Sequence, residues 1–279
     1  MKEQRVELKI NKSYNNSTLY EYLLSYRVNG KFINNLINQG KVVLNGQVIK
    51  RNNTLLKEND IVCLSLMIEN IKPYNTKIKI LYEDEWVIAV NKPPGILVHS
   101  DGCTSETLMN AVYYYLYQTK QTSCAYPIHR IDYDTTGIVI FAKNKLALSF
   151  LSVAIENHEI EKEYVCLCEG LFEKKEGVID YPIGKDRHSN KQIVVMSGKE
   201  AKTYYKVVEQ GKESKIRVKI VHGRKHQIRV HMAYIKHPIV GDKIYGHPSD
   251  KTLKLHFCHV RFIHPYTKEV MNIFCKEDF

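Results

Sequence analysis

Short β-rich runs fill most of the chain after residue 77, and only some of them are separated by helical segments. The strand-like runs are IKILYE, WVIAVNK, KEYVCLCEGLF, TYYKVVEQ, SKIRVKIVHG and LKLHFCHVRFIHP. Helices are predicted for SETLMNAVYYYLYQ, capped at Ser105 or Thr104, for LALSFLSVAIENHEI and for HQIRVHMAYI. Because helices and strands do not alternate strictly, the pattern predicts an α+β domain around a mixed, mainly antiparallel β-sheet with flanking helices.

The region from residue 17 to residue 66 predicts a small α+β module of its own. Ser17 or Thr18 can cap a first helix, and Gly40 can end a second one. Asn45-Gly46 between Val-Val-Leu and Gln-Val-Ile is a strong signal for a two-residue hairpin turn. The run DIVCLSL then predicts a closing strand.

The composition changes after this module. Residues 67 to 76, MIENIKPYNT, lack periodicity and contain Pro73, which is typical of a linker. Few core contacts are expected to cross such a segment. We therefore expect two domains, a small one at 1–70 and a larger one at 71–279.

The net charge of +11 and the pI near 9.1 suggest a polyanionic partner, nucleic acid before an anionic membrane. A solvated surface that keeps the protein in solution is the alternative explanation. Four basic residues lie at the second helix and around the hairpin of the module: Lys31, Lys41, Lys50 and Arg51. The module resembles the small RNA-binding domain first described in a ribosomal small-subunit protein. This resemblance implies that Lys31, Lys41 and Arg51 bind RNA phosphates.

Other features of the chain bear on its compartment. No run of about 18 apolar residues occurs, so the sequence predicts no transmembrane helix and no membrane partner. The first residues lack the apolar core of a signal peptide and are too acidic for a transit peptide. We interpret the seven Cys as reduced thiols of a cytoplasmic protein.

Two groups of residues could suggest a metal site. Cys166-x-Cys168 on an apolar strand is a weak signal, and His222, His226 and His231 are not spaced like known zinc ligands. The sequence therefore predicts no metal.

The stretch PIHRIDYDTTGIVIFAKN, residues 127 to 144, places His129, Arg130, Asp132 and Asp134 just before a turn and an apolar strand. Such a cluster can be a structural network of ion pairs, or it can be catalytic, with an Asp as nucleophile or base. The chain has no Gly-x-Ser-x-Gly elbow, P-loop or dinucleotide-binding fingerprint, which argues against a serine hydrolase and against those nucleotide sites.

The same stretch resembles the signature of the ribosomal large-subunit type (RluA-type) pseudouridine synthases, H-R-L-D-x-x-T-S-G followed by an apolar strand. Four further segments resemble family segments in the same order: YEDEWVIAVNKPPGILVHS, EKEYVCLCEG, GRKHQIRVHMAYIKHPIVGDKIYG and LHFCHVRFIHPYT. Many family members also carry an N-terminal module of the kind described above. The departures are Ile131, Thr136 and Lys225, where the family usually has Leu, Ser, and Thr or Ser.

This resemblance implies an isomerase that converts uridine in RNA to pseudouridine without a cofactor. Asp132 matches the family's catalytic aspartate, Arg229 the arginine that pairs with it, and Tyr164 the tyrosine that stacks on the flipped base. Arg130 is expected to contact RNA or to fill the space that the base leaves, and His129 to shape this substrate-binding loop. Asp132 can act as nucleophile or as base toward the sugar, and Arg229 could otherwise be a surface charge of its helix.

Two other functions fit part of the sequence. A non-enzymatic RNA-binding or ribosome-assembly protein would have the same charge and module, but the set Asp132, Tyr164 and Arg229 favours an enzyme. A nucleoside glycosidase would need a second acidic group to activate water, and no recognised motif supplies one. The expected substrate is ribosomal RNA, with transfer RNA as an alternative, and the protein is expected to be a monomer.

Overall fold

The computed structural model describes residues 2–189, 191–247 and 251–279, and within these ranges the strands form two sheets and a short ribbon. The N-terminal module consists of β1 (Glu3–Lys9), α1 (Leu19–Leu24), α2 (Gly30–Asn38), β2 (Val42–Leu44), β3 (Gln47–Val48) and β4 (Ile61–Met67). Its strands are antiparallel neighbours in the order β1-β4-β2-β3. In the core, α1 buries Leu19, Tyr22 and Leu23, and α2 buries Ile33, Leu36 and Ile37.

Local sequence signals explain where the elements of the module begin and end. The Thr18 hydroxyl accepts a hydrogen bond from the Glu21 N–H, and the Glu21 carboxylate accepts one from the Thr18 N–H, which is a capping box at the start of α1. The Asn29 side chain caps α2. Asn45 and Gly46 have φ angles of 49° and 86°, as a hairpin turn between β2 and β3 requires. The predicted helices, hairpin and closing strand are confirmed.

The prediction from sequence begins the module at residue 17 and therefore misses β1. This strand pairs with β4 along its whole length. Gln4, Val6 and Leu8 are buried, whereas the residues between them face solvent. The alternation of inward and outward residues is the signal that could have identified the strand.

The larger sheet follows residues 68–78, which contain no helix or strand, as the linker prediction expects. Its strands and the ribbon are β5 (Lys79–Glu83), β6 (Val87–Lys92), β7 (Tyr126–Pro127), β8 (Thr136–Ala142), β9 (Glu161–Glu169), β10 (Glu176–Asp180), β11 (Ile183–Lys185), β12 (Gln192–Val194), β13 (Lys202–Glu209), β14 (Glu213–Ile220), β15 (Leu255–Ile263) and β16 (Val270–Phe274). The helices are α3 (Leu108–Gln118), α4 (Lys145–Glu156) and α5 (Gln227–Tyr234). Among the described residues, no helix is both long enough and apolar enough to cross a membrane.

The strand order of the larger sheet is β10-β13-β14-β9-β15-β8-β6-β5, with β16 beside β15 and β7 beside β8, while β11 and β12 form the ribbon. β8 and β15 run parallel, and the other neighbouring strands of the described sheet are antiparallel. The predicted α+β class with a mainly antiparallel sheet is confirmed.

Helix α3 is capped by Thr107 and not by the predicted Ser105 or Thr104. The Thr107 side chain accepts a hydrogen bond from the Asn110 N–H, and the Asn110 amide donates to the main-chain oxygen of Lys72, 2.6 Å away. The start of the helix thus depends on a contact with the segment before β5, which the local sequence does not reveal.

The N-terminal module packs against the larger sheet through aromatic side chains. Trp86, the only tryptophan of the chain, is 4% exposed. Its ring stacks between Tyr26 of the module, at 5.5 Å between ring centroids, and Tyr266 near the C-terminus, at 4.9 Å. These rings belong to one hydrophobic core that extends across both sheets.

Polar contacts add to this junction. Arg27 Nη2 lies 2.7 Å from Glu159 Oε2, and the Ser149 hydroxyl donates to the main-chain oxygen of Arg27 at 2.7 Å. The Lys268 ammonium lies 4.7 Å from the centre of the Tyr26 ring of the module. The expectation of few contacts across the linker is therefore wrong, because residues on both sides of the linker share one core.

Removing one ring of this stack is expected to destabilise the whole protein. Tyr26 is 2% exposed, and replacing a buried aromatic residue by Ala costs about 3–5 kcal/mol of unfolding free energy. Urea denaturation followed by circular dichroism should show one transition for wild type and for Tyr26→Ala, with a lower midpoint for the variant. Tyr117→Ala, whose ring is 59% exposed, is the control and should change stability by less than about 0.5 kcal/mol. Two-step unfolding of the wild type would contradict a shared core.

Candidate active site

Asp132 lies in the loop between β7 and β8, beside the place where the sheet changes to parallel pairing. The Thr135 N–H donates to the Asp132 main-chain oxygen at 3.2 Å and closes a tight turn before β8. Gly137 follows with a φ of +111°, and a side chain there would collide with the main chain of Phe257 on β15. The loop can therefore lie close against β15, and the Asp132 side chain remains 23% exposed at a cleft.

Lys92, at the end of β6, supports this loop from the protein interior. Its fully buried ammonium donates to the main-chain oxygens of Tyr133 at 2.7 Å, Pro93 at 2.9 Å and Ile96 at 2.9 Å. Burial lowers the pKa of Lys92 to about 8, against the opposing effect of the loop carboxylates. Sequence reasoning gave Lys92 no role, although it belongs to the NKPPG segment.

Arg229 joins two carboxylates from different parts of the chain. It is 5% exposed on α5, so the alternative of a helix-surface charge is wrong. Its Nε and Nη2 each donate to Asp242 at 2.8 Å, and its Nη1 donates to Asp132 Oδ2 at 3.3 Å. Burial disfavours the guanidinium charge, but Asp242 and then Asp132 outweigh burial and raise the pKa of Arg229.

Asp242 is the site residue that the sequence analysis missed. It is 1% exposed and also accepts hydrogen bonds from the N–H groups of Ile244 at 2.9 Å and Tyr245 at 3.1 Å. Burial raises the pKa of this carboxyl, but the hydrogen bonds from Arg229 outweigh it, so the pKa lies below its ordinary value. A signal existed, because Asp242 is the only acidic residue in the segment HPIVGDKIYG.

Tyr164 lines the same cleft from β9. It is 6% exposed, and its ring lies 4.5 Å from that of Phe257, nearly parallel to it at 12°. Burial, and then the charge of Asp132, raise the pKa of Tyr164, which keeps its hydroxyl protonated at neutral pH. The pair of rings forms a rigid flat wall near the carboxylate.

His226 also approaches Asp132, with its Nε2 4.0 Å from Asp132 Oδ2. Its Nδ1 lies 2.8 Å from the hydroxyl of Tyr245, and its main chain has a φ of 57° just before α5. Burial lowers the pKa of His226, while the charge of Asp132 opposes the shift. The adjacent Lys225, one of the departures from the family pattern, is exposed.

The other two histidines considered as metal ligands have separate partners. His231 Nδ1 lies 2.8 Å from Thr203 Oγ1 and its Nε2 lies 3.0 Å from the main-chain oxygen of Tyr181. The ring of His222 packs edge-on against His158 at 4.9 Å. Within the ranges that the structure describes, no three His, Cys, Asp or Glu side chains are grouped so that they could hold a metal ion.

His129 and Arg130 occupy opposite sides of the loop. His129 Nε2 accepts a hydrogen bond from the Ile140 N–H at 3.3 Å, and its ring packs edge-on against Phe257. Burial, and then the charge of Lys162, lower the pKa of His129 to about 3, so the ring is neutral. This position favours a role in shaping the loop. Arg130 is exposed at the edge of the cleft.

The structure separates the basic residues proposed for the N-terminal module. Lys31 and Arg51 are exposed. Lys31 lies one turn before Asn34, whose side chain accepts a hydrogen bond from Asn52, the neighbour of Arg51. These two cations therefore lie on the same side of the module. Lys41 is half-buried and pairs with Glu3 at 3.3 Å.

The chain matches the family model described as RNA pseudouridylate synthase over residues 86–234, a range that includes Asp132, Tyr164 and Arg229. A protein of Bacillus subtilis named uncharacterized RNA pseudouridine synthase YhcT is 31% identical over 97% of this chain and 93% of its own length. The ribosomal large subunit pseudouridine synthase D of Vibrio cholerae is 32% identical over 83% of this chain and 78% of its own length.

A solved human structure, RNA Pseudouridylate Synthase Domain Containing 1, has the same fold. It superposes with a TM-score of 0.63 over 77% of this chain and 87% of the human chain, at 22% sequence identity. The sequence matches and this fold agree with the family that the motif around Asp132 resembles. The chain therefore belongs to the RNA pseudouridylate synthase family and is an isomerase that acts on RNA.

Proposed function

We propose that this isomerase converts specific uridines of large-subunit ribosomal RNA to pseudouridine, with Asp132 as the catalytic carboxylate. One observation carries the assignment of the residue. Asp132 contacts the buried cation of Arg229 and is the one carboxylate among the described residues that line the cleft. A glycosidase would need a second carboxylate there to activate water, so the geometry favours isomerisation.

The reaction explains why a single carboxylate is enough. The bond between sugar C1′ and base N1 breaks, the base rotates, and C1′ joins base C5. The C5 proton leaves and N1 is protonated, so the composition of the nucleotide is unchanged and no cofactor is consumed. Asp132 would attack the sugar or accept a sugar proton, and Arg229 would hold the carboxylate in position through its hydrogen bond to Oδ2.

Tyr164 would hold the base outside the RNA stack. Its ring lines the cleft, and the buried ring of Phe257 supports it from behind, nearly parallel and 4.5 Å away, so a flipped base can stack on Tyr164. Flipping costs a few kcal/mol, and least in an RNA loop. Arg130 at the edge of the cleft would contact the RNA strand or occupy the space that the base leaves.

The N-terminal module, residues 1–70, is proposed to add RNA affinity that does not depend on sequence. Lys31 and Arg51 are its candidate phosphate ligands, whereas Lys41 is already paired with Glu3. Removing one phosphate contact should reduce the magnitude of the slope of log affinity against log salt by roughly 0.7 to 0.9.

We expect the double variant Lys31→Ala, Arg51→Ala to bind RNA more weakly. The magnitude of its slope of log affinity against log salt should be smaller by roughly 1.4 to 1.8. Turnover at saturating RNA should be preserved, because the cleft lies on the larger sheet. The measurement is RNA binding at several salt concentrations. The double variant Lys174→Ala, Lys175→Ala removes two exposed cations between β9 and β10 and is the charge-matched control. Equal slopes for both double variants would show that the module does not bind phosphates.

The identity of the substrate is tested by mapping pseudouridine in total RNA from cells with and without this gene. The name of the Vibrio cholerae relative supports a large-subunit ribosomal site. Loss of pseudouridine there, with recovery by wild type and no recovery by Asp132→Asn, is the expected result. Loss confined to transfer RNA would overturn the ribosomal assignment while leaving the isomerase intact.

We also propose that the protein is a cytoplasmic monomer. The free thiols of the described structure support a reducing compartment, and the sulfur atoms of Cys166 and Cys168 lie 3.6 Å apart without a disulfide. Sedimentation in reducing buffer should give the mass of one chain, and a species of twice that mass would contradict the monomer.

A further inference from the structure

Arg130, which is proposed to contact RNA, has a neighbouring side chain that takes no part in the proposed reaction. Arg130 Nη1 lies 3.2 Å from Nε2 of His99, a residue of the segment between β6 and α3. Arginine side chains lose much rotational freedom when they are held in one orientation. A partner that holds the guanidinium before RNA arrives removes that cost from binding.

The hydrogen-bonding roles of the two ring nitrogens of His99 follow from their neighbours. Its Nδ1 lies 2.8 Å from the main-chain oxygen of Ser100, which can only accept, so Nδ1 carries a hydrogen. A guanidinium can only donate, so Nε2 must offer its lone pair to Arg130. His99 therefore donates from Nδ1 to Ser100 and presents Nε2 as an acceptor to Arg130.

The segment that carries His99 is itself fixed. The main-chain oxygens of Leu97 and Val98 accept hydrogen bonds from the first N–H groups of α3, at 2.8 Å and 2.9 Å. The Gly95 N–H donates to the main-chain oxygen of Tyr133 in the Asp132 loop at 3.0 Å. The contact from His99 thus joins Arg130 to a rigid part of the chain that already supports this loop.

We propose that His99 is a positioning residue, which holds Arg130 in the orientation in which it meets RNA at the edge of the cleft. The proposal rests on the proposed role of Arg130 in RNA binding. It assigns to His99 no contact with the reacting atoms. Loss of the acceptor should raise KM for RNA about tenfold, because the entropy cost of ordering one flexible side chain is of that size. It should leave kcat nearly unchanged.

Two substitutions separate the acceptor from the rest of the side chain. His99→Gln places an amide oxygen near the position of Nε2, where it can accept from Arg130. His99→Asn has its amide near the position of Nδ1 and is too short to reach the guanidinium. We expect Asn to raise KM about tenfold and Gln to restore most of the wild-type KM. His158→Asn, at an exposed histidine with a φ of 59°, is the matched control and should behave as wild type.

A double-mutant cycle with Arg130→Ala completes the test. If His99 acts through Arg130, His99→Asn should have no further effect on KM in the Arg130→Ala background. Circular dichroism should show that all variants are folded. An equal loss in both backgrounds, or a His99→Gln enzyme as impaired as His99→Asn, would overturn the positioning role. An Arg130→Ala enzyme with wild-type KM would instead overturn the proposed RNA contact of Arg130.

Discussion

Asp132→Asn is expected to abolish pseudouridine formation while leaving the fold and RNA binding intact. The change keeps the volume of the side chain and removes the charge that Arg229 contacts at 3.3 Å. Loss of a catalytic nucleophile or base typically lowers kcat by a factor of about 10⁴ or more. The side chain is 23% exposed at the edge of the core, so little stability should depend on it.

The measurement is release of the C5 hydrogen of uridine from labelled RNA, together with RNA binding and thermal unfolding of the same variant. Asp134→Asn is the control, because Asp134 is an exposed carboxylate in the same loop. It should keep its activity, and its stability should change by less than about 0.5 kcal/mol, as expected for a surface change. An active Asp132→Asn enzyme, or an equal loss in both variants, would contradict the assignment of Asp132.

Asp242→Ala is expected to be the most destabilising single change at the site, and also to impair catalysis. It would leave the guanidinium of Arg229 buried with Asp132 as its remaining carboxylate contact among the described residues. Removing one partner of a buried ion pair costs about 3–5 kcal/mol of unfolding free energy. Arg229 would then be free to move toward Asp132 and change the orientation of the carboxylate.

The double variant Arg229→Met, Asp242→Leu distinguishes the two effects. It removes both charges together, so it should regain part of the stability that Asp242→Ala loses. It should remain inactive, because Asp132 then lacks its cation. Urea denaturation and single-turnover kinetics measure the two outcomes separately. Wild-type stability of Asp242→Ala, or wild-type activity of the double variant, would show that the pairing has no role.

Sequence was a sufficient guide where structure depends on neighbouring residues. The Thr18 capping box and the Asn45-Gly46 turn are complete within four residues. The turn was predicted, and Thr18 was one of the two predicted caps of the first helix. The cap of α3 was misplaced because Thr107 acts together with Asn110, which contacts Lys72 across the fold. Local sequence cannot reveal such a tertiary contact.

The same limit applies to the active site. Motifs predicted Asp132, Tyr164 and Arg229 as site residues. In the structure, Arg229 contacts Asp132, and Tyr164 lines the same cleft as Asp132. The pairing of Arg229 with Asp242 follows from the turn after α5. The contact between His99 and Arg130 follows from the way two loops meet. Neither is encoded in residue spacing.

The position of β15 has a consequence for how the protein is synthesised. This strand joins β9 on one side to β8 on the other, so β5, β6, β7 and β8 form one half of the sheet and β9, β10, β13 and β14 form the other half. Asp132 belongs to the first half and Tyr164 to the second. Arg229 lies on α5, which follows β14 of the second half. On the ribosome, β15 is made after the strands of both halves. The growing chain is therefore expected to become active only late in its synthesis, because its reactive groups come together only when the joining strand has been made.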